Sequence, residues 1–296
     1  NNKFSYAVTM QPHEGCEAKS KAGHAFRLSK PRIVIPVFPG SGSENDVRRA
    51  FEAGGGNCTL VNVRNLNGHL IARSFRELAA AIKTAQIVFI PGGFSGGDEP
   101  DGPAKFISAV LTNAYVREAI EELLSCRDGL LAGIGNGFQG LINTGLLPFG
   151  EYREKTEESP TLTKNDVGEH VSRMINTRII STKSPWMSRF KVGDAYTMPV
   201  SHSYGKFYCT DSELLSYIRN GQIAAQYTDK YGNSGMDIEI NPNGSIGGIE
   251  ALTSPDGKIL GKMAHSERMF GENLYKNMPK SENQNIFKAG IDYFKG

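Results

Sequence analysis

Apolar runs alternate with amphipathic segments through the first half of the chain, and this pattern predicts strands that alternate with helices. The runs are rich in β-branched residues, as is typical of strands in the centre of a sheet. The predicted strands are 32–38, 59–63, 86–90 and 129–134, and the predicted helices are 43–53, 74–83 and two pieces within 103–126. Such an alternation indicates an α/β fold with a parallel, doubly wound sheet, whose ligand sites lie at the carboxyl ends of the strands.

End signals frame the first predicted helix. Ser43 is expected to cap its N-terminus, and Asp46 lies in its first turn. Three consecutive glycines, 54–56, are expected to end it.

The second half is expected to extend the same sheet with shorter, antiparallel strands. Residues 151–170 are predicted to be a charged loop. Pro242-Asn243-Gly244 lies between the runs MDIEI and IGGIEAL, and Asp256-Gly257 precedes KILGKMA, so two hairpins are predicted. We therefore expect one domain over residues 32–296. Residues 1–31 are polar, broken by proline and glycine and without periodicity, which indicates a linker or docking arm in a piece of a longer polypeptide.

Composition and charge narrow the classes of function. The 296 residues are 39% hydrophobic and 22% charged, a profile typical of soluble globular proteins. Thirty-three basic and 31 acidic side chains leave a net charge of +2, so neither nucleic acid nor a membrane is an expected partner. The four cysteines are far apart and lack clustered histidines, which argues against a metal site or disulfide framework and favours the cytoplasm: Cys16, Cys58, Cys126 and Cys209.

The segment 133–137 has the sequence features of a nucleophile elbow without a nucleophile. It follows a predicted strand, and a helix is predicted to begin at Phe138. An elbow presents Ser or Cys at the centre of a sharp, glycine-framed turn between a strand and a helix. The central residue here is Gly135, which has no side chain that can attack a substrate. From these residues alone, a simple tight connection explains the glycines equally well.

A second glycine-rich segment, 91–97, also follows a predicted strand and is expected at the same edge of the sheet. Its glycines allow backbone N–H groups to turn towards a ligand oxygen, as an oxyanion hole requires. The same segment contains G-F-S-G-G, which fits a serine-hydrolase elbow with Ser95 as nucleophile. That alternative is disfavoured because the following residues, GDEPDGP, are a poor start for a helix.

Three polar residues elsewhere are further candidates for chemistry. His265 and Glu267 are separated by one residue, so in an extended segment their side chains face the same way. A carboxylate beside a histidine fixes its tautomer and stabilises its charged form, as a catalytic base requires. Gln139 lies about one helical turn beyond Gly135, so its amide can reach back to the turn. His202 is also a candidate, although an isolated histidine is usually structural.

Together these motifs resemble the class I glutamine amidotransferases, and more narrowly the glutaminase domain of phosphoribosylformylglycinamidine synthase of the large single-chain type. That family has P-G-G-F-S-Y-G-D where this chain has PGGFSGGD, and G-I-C-N-G-F-Q-x-L where it has GIGNGFQGL. It has H-G-E-G-R-F where this chain has HSYGKF, and H-P-E-R where it has HSER. The order and spacing of the motifs over residues 32–275 make the resemblance more specific than any one motif.

The resemblance implies a flavodoxin-like sheet and a Cys-His-Glu triad that hydrolyses glutamine. It implies that Gly135 stands at the position of the nucleophilic cysteine, that His265 is the general base and acid, and that Glu267 orients it. It assigns the N–H groups of the oxyanion hole to two residues, Gly93 and Asn136. It places the glutamine substrate against Phe94, Gln139, His202, Ser203, Tyr204 and Gly205.

The resemblance also implies a partner. In the family, ammonia passes to a synthetase portion, in the same polypeptide or complex, which uses ATP and Mg to convert formylglycinamide ribonucleotide to its amidine in purine biosynthesis. No cofactor is expected in this domain, and residues 1–31 become the connection to a preceding synthetase region. Without the thiol, the chain is predicted to be inactive as a glutaminase. Whether Gly135 is an engineered or a natural replacement stays open, as does a non-catalytic regulatory or interaction domain on the same fold.

Overall fold

The computed structural model describes residues 28–93, 104–270 and 283–295. Its strands are β1 Arg32–Val37, β2 Asn57–Asn62, β3 Ile87–Ile90, β4 Leu130–Ile134, β5 Thr161–Lys164, β6 Val171–Ile179, β7 Ala195–His202, β8 Tyr204–Tyr208, β9 Ile223–Thr228, β10 Ile249–Thr253 and β11 Ile259–Lys262. Its α-helices are α1 Glu44–Ala53, α2 Gly68–Ile82, α3 Lys105–Thr112, α4 Ala114–Ser125, α5 Asn136–Asn143, α6 Leu146–Phe149, α7 Asp211–Arg219 and α8 Ile286–Lys295.

Five parallel strands form one half of the main sheet, in the order β2-β1-β3-β4-β11. This is the strand order of a flavodoxin-like doubly wound sheet. The prediction of a parallel α/β core is confirmed. The carboxyl ends of β3, β4 and β11 meet at one edge, so the segments that follow these three strands lie together there.

Antiparallel strands complete the sheet to nine strands within the described residues, continuing β11-β10-β9-β6-β7. The predicted antiparallel extension and the hairpin at 256–257, which joins β10 to β11, are confirmed. The hairpin predicted at 242–244 is wrong because MDIEI forms turns, in which the backbone N–H groups of Ile240 and Asn241 both donate to the Asp237 carbonyl. The predicted loop 151–170 is partly wrong, since it contains β5, which pairs with β8 in a separate two-stranded sheet.

Two apolar layers cover the main sheet and hold its edge in place. On one face, Phe51 of α1 packs edge-on against Phe89 of β3 and Phe287 of α8, with ring centroids 5.4 and 5.0 Å away. On the other face, Phe138 of α5 and Leu131 of β4 belong to a second buried cluster. Burial of large apolar side chains on both faces contributes most to the stability of such a sheet.

The N-terminal ends of α2 and α1 differ from the predictions because their capping side chains make other hydrogen bonds than expected. Helix α2 begins six residues before the predicted start because Asn67 caps it and accepts a hydrogen bond from the Leu70 N–H. Ser43 is the N-cap residue of α1, as predicted, but its hydroxyl does not cap the helix. It accepts instead from the N–H of Gly92, and so ties the start of α1 to the loop that follows β3. No helix among the described residues is long and apolar enough to cross a membrane.

Candidate active site

The turn at Gly135 has the geometry of an elbow between a strand and a helix. Strand β4 ends at Ile134, and α5 begins at Asn136, two residues before the predicted start. Gly135 has φ 54° and ψ −113°, a left-handed conformation that favours glycine. Its N–H donates to the Lys262 carbonyl of β11 at 2.8 Å, which fixes the turn against the end of the neighbouring strand.

The imidazole of His265 faces this turn. A Cβ atom placed on Gly135 would lie 3.4 Å from His265 Cε1 and 3.6 Å from its Nε2. It would lie 3.8 Å from the Cα of Gly92, in ordinary van der Waals contact. The turn therefore has room for a small side chain, and that side chain would point at the imidazole.

His265 and Glu267 form a buried pair. His265 Nδ1 lies 2.6 Å from Glu267 Oε1, and the two residues are 3% and 0% exposed. The prediction of their proximity is confirmed, but the predicted extended segment is wrong, since residues 266–269 form a 3-10 helix that begins beside His265. A carboxylate only accepts, so Nδ1 carries the proton and the Nε2 lone pair faces Gly135.

The contact with His265 decides the ionisation of Glu267. Burial alone raises the pKa of this carboxyl, but the electrostatic interaction with His265 and the hydrogen bond from its Nδ1 outweigh burial. The net result is a pKa below the ordinary value, so Glu267 is ionised at neutral pH and orients the imidazole.

A buried lysine lies behind the pair. Lys262 Nζ is 2.7 Å from Ser266 Oγ and 3.6 Å from Glu250 Oε1, and it also donates to Gln284. Glu250 in turn accepts from the N–H of Ala264 at 2.8 Å. The segment that carries His265 is thus held by charged groups on β10 and β11. No sequence pattern marked Lys262 or Glu250, because charged residues inside strands normally indicate a solvated face.

The loop after β3 borders the elbow, as predicted for its described part. Gly42 donates to the Gly92 carbonyl at 3.0 Å, and the N–H of Gly93 has no acceptor among the described residues. Gly93 and Asn136 line the same pocket. Phe94, predicted to contact glutamine, and Ser95, the alternative nucleophile, lie outside the described residues.

An open pocket lies over the elbow, with about 450 Å³ of empty space that includes adjoining solvent. It is lined by Gly93, Gly135, Asn136, Gln139, Ser201, His202, Ser203, Met263, His265 and Arg268. Sequence reasoning missed Ser201, Met263 and Arg268. Arg268 was within reach of prediction, because it directly follows Glu267 in the HSER motif. No cluster of residues suited to a metal ion is present in the described part of the chain.

Gln139 lines the pocket, and its side-chain amide is hydrogen-bonded to Tyr204 and Asn136. The Gln139 amide nitrogen donates to the Tyr204 carbonyl, and its oxygen accepts from the Asn136 amide. The amide of Gln139 is held in place by these two contacts, on α5 one turn beyond Gly135. Tyr204 and Gly205, both predicted to contact glutamine, are absent from the residues that line this pocket.

His202 also lines the pocket and has a different partner from His265. Its Nδ1 is 3.2 Å from Asn165 Oδ1, and its ring packs against Gly205. Burial, His265 and His170 together lower the pKa of His202 to about 3, so this imidazole is neutral. The Ser203 hydroxyl is 3.2 Å from His170 Nδ1. Asn165 lies in the segment predicted to be a charged loop, and no motif marked it.

Comparisons with known proteins point to one family. Residues 30–294 match the family model described as a CobB/CobQ-like glutamine amidotransferase domain. A Prochlorococcus marinus protein named phosphoribosylformylglycinamidine synthase subunit PurQ is 32% identical over 240 residues, which cover 80% of this chain and 90% of that protein. The Methanococcus maripaludis protein of the same name is 27% identical over 286 residues, covering 89% of this chain and 98% of the relative.

A solved structure shares the fold. The structure of PurLQS from Thermotoga maritima includes a chain that superposes with a TM-score of 0.64. The match covers 89% of this chain and 99% of that chain, at 22% identity. This likeness supports the assignment of the fold.

Proposed function

Because this chain belongs to the CobB/CobQ-like glutamine amidotransferase family, we propose that its pocket binds glutamine as the glutaminase portion of phosphoribosylformylglycinamidine synthase. The names of its relatives support this choice of synthase. The observation that carries the proposal is the position of His265 Nε2, 3.6 Å from a Cβ placed on Gly135, with Glu267 on the other side of the ring.

The chemistry assigned to this geometry needs a thiol at position 135. A thiolate there attacks the carboxamide carbon of glutamine, and His265 passes the thiol proton to the leaving ammonia. Water then hydrolyses the thioester to glutamate. The N–H groups of Gly93 and Asn136 are proposed to stabilise the oxyanion. Phe94, Ser203, Tyr204 and Gly205 remain proposed contacts of the substrate.

Gly135 removes the covalent step, and no cysteine of the described residues replaces it. Cys58, Cys126 and Cys209 are absent from the pocket lining. Burial also raises the pKa of the Cys209 thiol to about 12, so this residue is not a thiolate at neutral pH. We therefore propose that the chain binds glutamine and does not hydrolyse it by the cysteine route.

The proposed partner is the synthetase portion of the enzyme. It binds ATP and Mg and uses ammonia to form the amidine of formylglycinamide ribonucleotide in cytoplasmic purine biosynthesis. The word subunit in the relatives' names supports a separate synthetase chain. A single-chain arrangement, joined through residues 1–31, is the second form of the same proposal.

The direct test is glutamate release from glutamine by the unmodified chain and by Gly135→Cys. We expect Gly135→Cys to raise the rate about a thousandfold or more, since loss of the nucleophile costs at least that much in enzymes with a catalytic triad. Gly135→Ala is the matched control, because it introduces the same Cβ at the same positive φ without a thiol. Gly135→Cys combined with His265→Asn is expected to return to the background rate.

Equal rates for the unmodified chain and Gly135→Cys would contradict the assignment of position 135. Activity of the unmodified chain that is lost in Ser95→Ala would favour the serine hydrolase. The missing thiol also suits a regulatory or interaction domain. That alternative is supported if Gly135→Cys hydrolyses glutamine but the synthetase partner forms no amidine from the ammonia released.

A further inference from the structure

One atom of the pocket has an unused hydrogen-bonding capacity. His202 lines the pocket and is 6% exposed, and its Nε2 is buried without a hydrogen-bond partner among the described residues. A buried polar atom is normally paired, so an unpaired one that borders a pocket points to a group of the ligand.

Asn165 determines which nitrogen of His202 carries the proton. The Asn165 amide nitrogen donates to the His202 carbonyl at 2.9 Å, and its Oδ1 accepts from the backbone N–H of Gly205 at 3.1 Å. A backbone N–H only donates, so the amide orientation of Asn165 is unambiguous. The same oxygen lies 3.2 Å from His202 Nδ1, which must therefore carry the proton.

The ring can neither take a second proton readily nor turn. A neutral imidazole has one N–H, so with Nδ1 protonated Nε2 is a lone-pair acceptor. Burial and the neighbouring His265 and His170 disfavour the charged ring, which keeps Nε2 unprotonated near neutral pH. A Cβ on Gly205 would lie 2.6 Å from both Cε1 and Nδ1 of His202, so the ring packs directly on the Gly205 backbone. Nε2 is a fixed acceptor.

We propose that His202 Nε2 accepts a hydrogen bond from the side-chain carboxamide N–H of the bound amino acid, and thereby selects glutamine over glutamate. This inference rests on the proposed glutamine pocket and adds the atom that recognises the amide. His202 belongs to the same pocket as His265, whose Nε2 lone pair faces position 135, where the carboxamide reacts.

The preference for glutamine over glutamate follows from the hydrogen-bond donors and acceptors of the two side chains and of the site. A carboxamide NH₂ brings two N–H donors to a site that offers two imidazole lone pairs. A carboxylate in the same place offers lone pairs only, so it leaves both imidazoles unpaired and opposes them electrostatically. A site built to hydrogen-bond one ligand group rejects the analogue that lacks it.

Calorimetric titration of the unmodified protein tests this, because Gly135 prevents turnover of glutamine by the cysteine route. We expect glutamine to bind at least about tenfold more tightly than glutamate. In His202→Leu, which keeps an apolar body without an acceptor, the two affinities should differ by less than about threefold. His69→Leu is the matched control, since it makes the same substitution at an exposed histidine of α2 outside the pocket lining, and it should keep the tenfold preference.

A measurement on the unmodified protein covers the case in which His202→Leu does not fold. Long-range ¹H–¹⁵N correlation spectra should show that Nδ1 of His202 is protonated and that its Nε2 is not. The Nε2 resonance should move on addition of glutamine and stay in place with glutamate. A proton on Nε2, or a response to both amino acids alike, overturns the proposal.

The outcomes distinguish a failure of the role of His202 from a failure of the proposed glutamine pocket. If glutamine binds and Gly135→Cys hydrolyses it, but a folded His202→Leu keeps the preference over glutamate, only the role of His202 is wrong. If neither amino acid binds and Gly135→Cys is inactive, the glutamine pocket itself is wrong, and the role of His202 with it.

Discussion

The parallel and antiparallel halves of the sheet place two histidines at one pocket in different electrostatic settings. His265 follows β11 of the parallel half, and a carboxylate binds its Nδ1. His202 ends β7 of the antiparallel half, and an amide oxygen binds its Nδ1. A carboxylate stabilises a positive charge on the ring, whereas a neutral amide in a buried site does not. From the partner atoms we therefore propose proton transfer for His265 and recognition for His202, although the residue type is the same.

The largest expected effect comes from removing the carboxylate that distinguishes His265. In the Gly135→Cys background, Glu267→Gln should lower kcat for glutamine hydrolysis by about 10³ to 10⁴, since an amide no longer fixes the required tautomer or stabilises the imidazolium. Steady-state glutamate release measures this change. A loss of less than tenfold would mean that Glu267 does not act through His265. The variant Glu213→Gln, in the exposed capping box of α7, is the control and should leave kcat unchanged.

The next largest effect is expected on the free energy of unfolding, at the boundary between the parallel and antiparallel halves of the sheet. Lys262 of β11 and Glu250 of β10 are 1% and 0% exposed, and burial lowers the pKa of Lys262 against the opposing charge of Glu250. Lys262→Met leaves Glu250 buried without its cation, so we expect the free energy of unfolding to fall by about 3–5 kcal/mol. Urea unfolding measures it.

A paired substitution makes this test specific. Lys262→Met combined with Glu250→Gln removes both charges, while the amide oxygen can still accept from Ala264. This double variant should recover most of the stability lost in Lys262→Met. If the single variant costs less than about 1 kcal/mol, the buried ion pair does not hold the two halves together.

A smaller effect is expected from the acid dependence of stability. The pKa of His202 is about 3 in the folded chain against 6.5 for an unperturbed histidine, so below pH 6.5 the unfolded chain binds a proton that the folded chain does not. The contribution of neutral His202 to the free energy of unfolding is therefore complete above about pH 6.5. It is lost as the pH falls towards 3. Between pH 7 and pH 5 the unmodified chain should lose about 2 kcal/mol more than His202→Leu. Equal losses in the two proteins would show that His202 is already protonated when folded.

The sequence predicted the parallel half better than the antiparallel half for a physical reason. Buried parallel strands are continuous apolar runs such as 86–90, and their ends carry the glycine-rich turns, so the elbow was visible as a local pattern. The His265–Glu267 contact is also local, although a 3-10 turn rather than an extended strand produces it.

The antiparallel half depends on contacts between residues far apart in the chain. Asn165 reaches His202 across 37 positions, and at the boundary with the parallel half Lys262 of β11 reaches Gln284 across 22. The run MDIEI alternates like a strand, yet a turn at Asp237 is formed instead. Long-range partners of polar side chains leave no periodic signal in one sequence, so neither the wall around His202 nor the buried Lys262 was predictable.

Covalent labelling at position 135 tests the central claim most directly, namely that the pocket is a glutaminase site that lacks only its nucleophile. The reagent is a glutamine analogue whose carboxamide is replaced by a chloromethyl ketone, from which a thiolate at position 135 displaces chloride. Peptide mass spectrometry of Gly135→Cys should find one adduct per chain at position 135, formed more slowly in excess glutamine, and Gly135→Ala should show none there. A folded Gly135→Cys variant that gains no adduct at position 135, or gains it at the same rate with and without glutamine, would contradict the account.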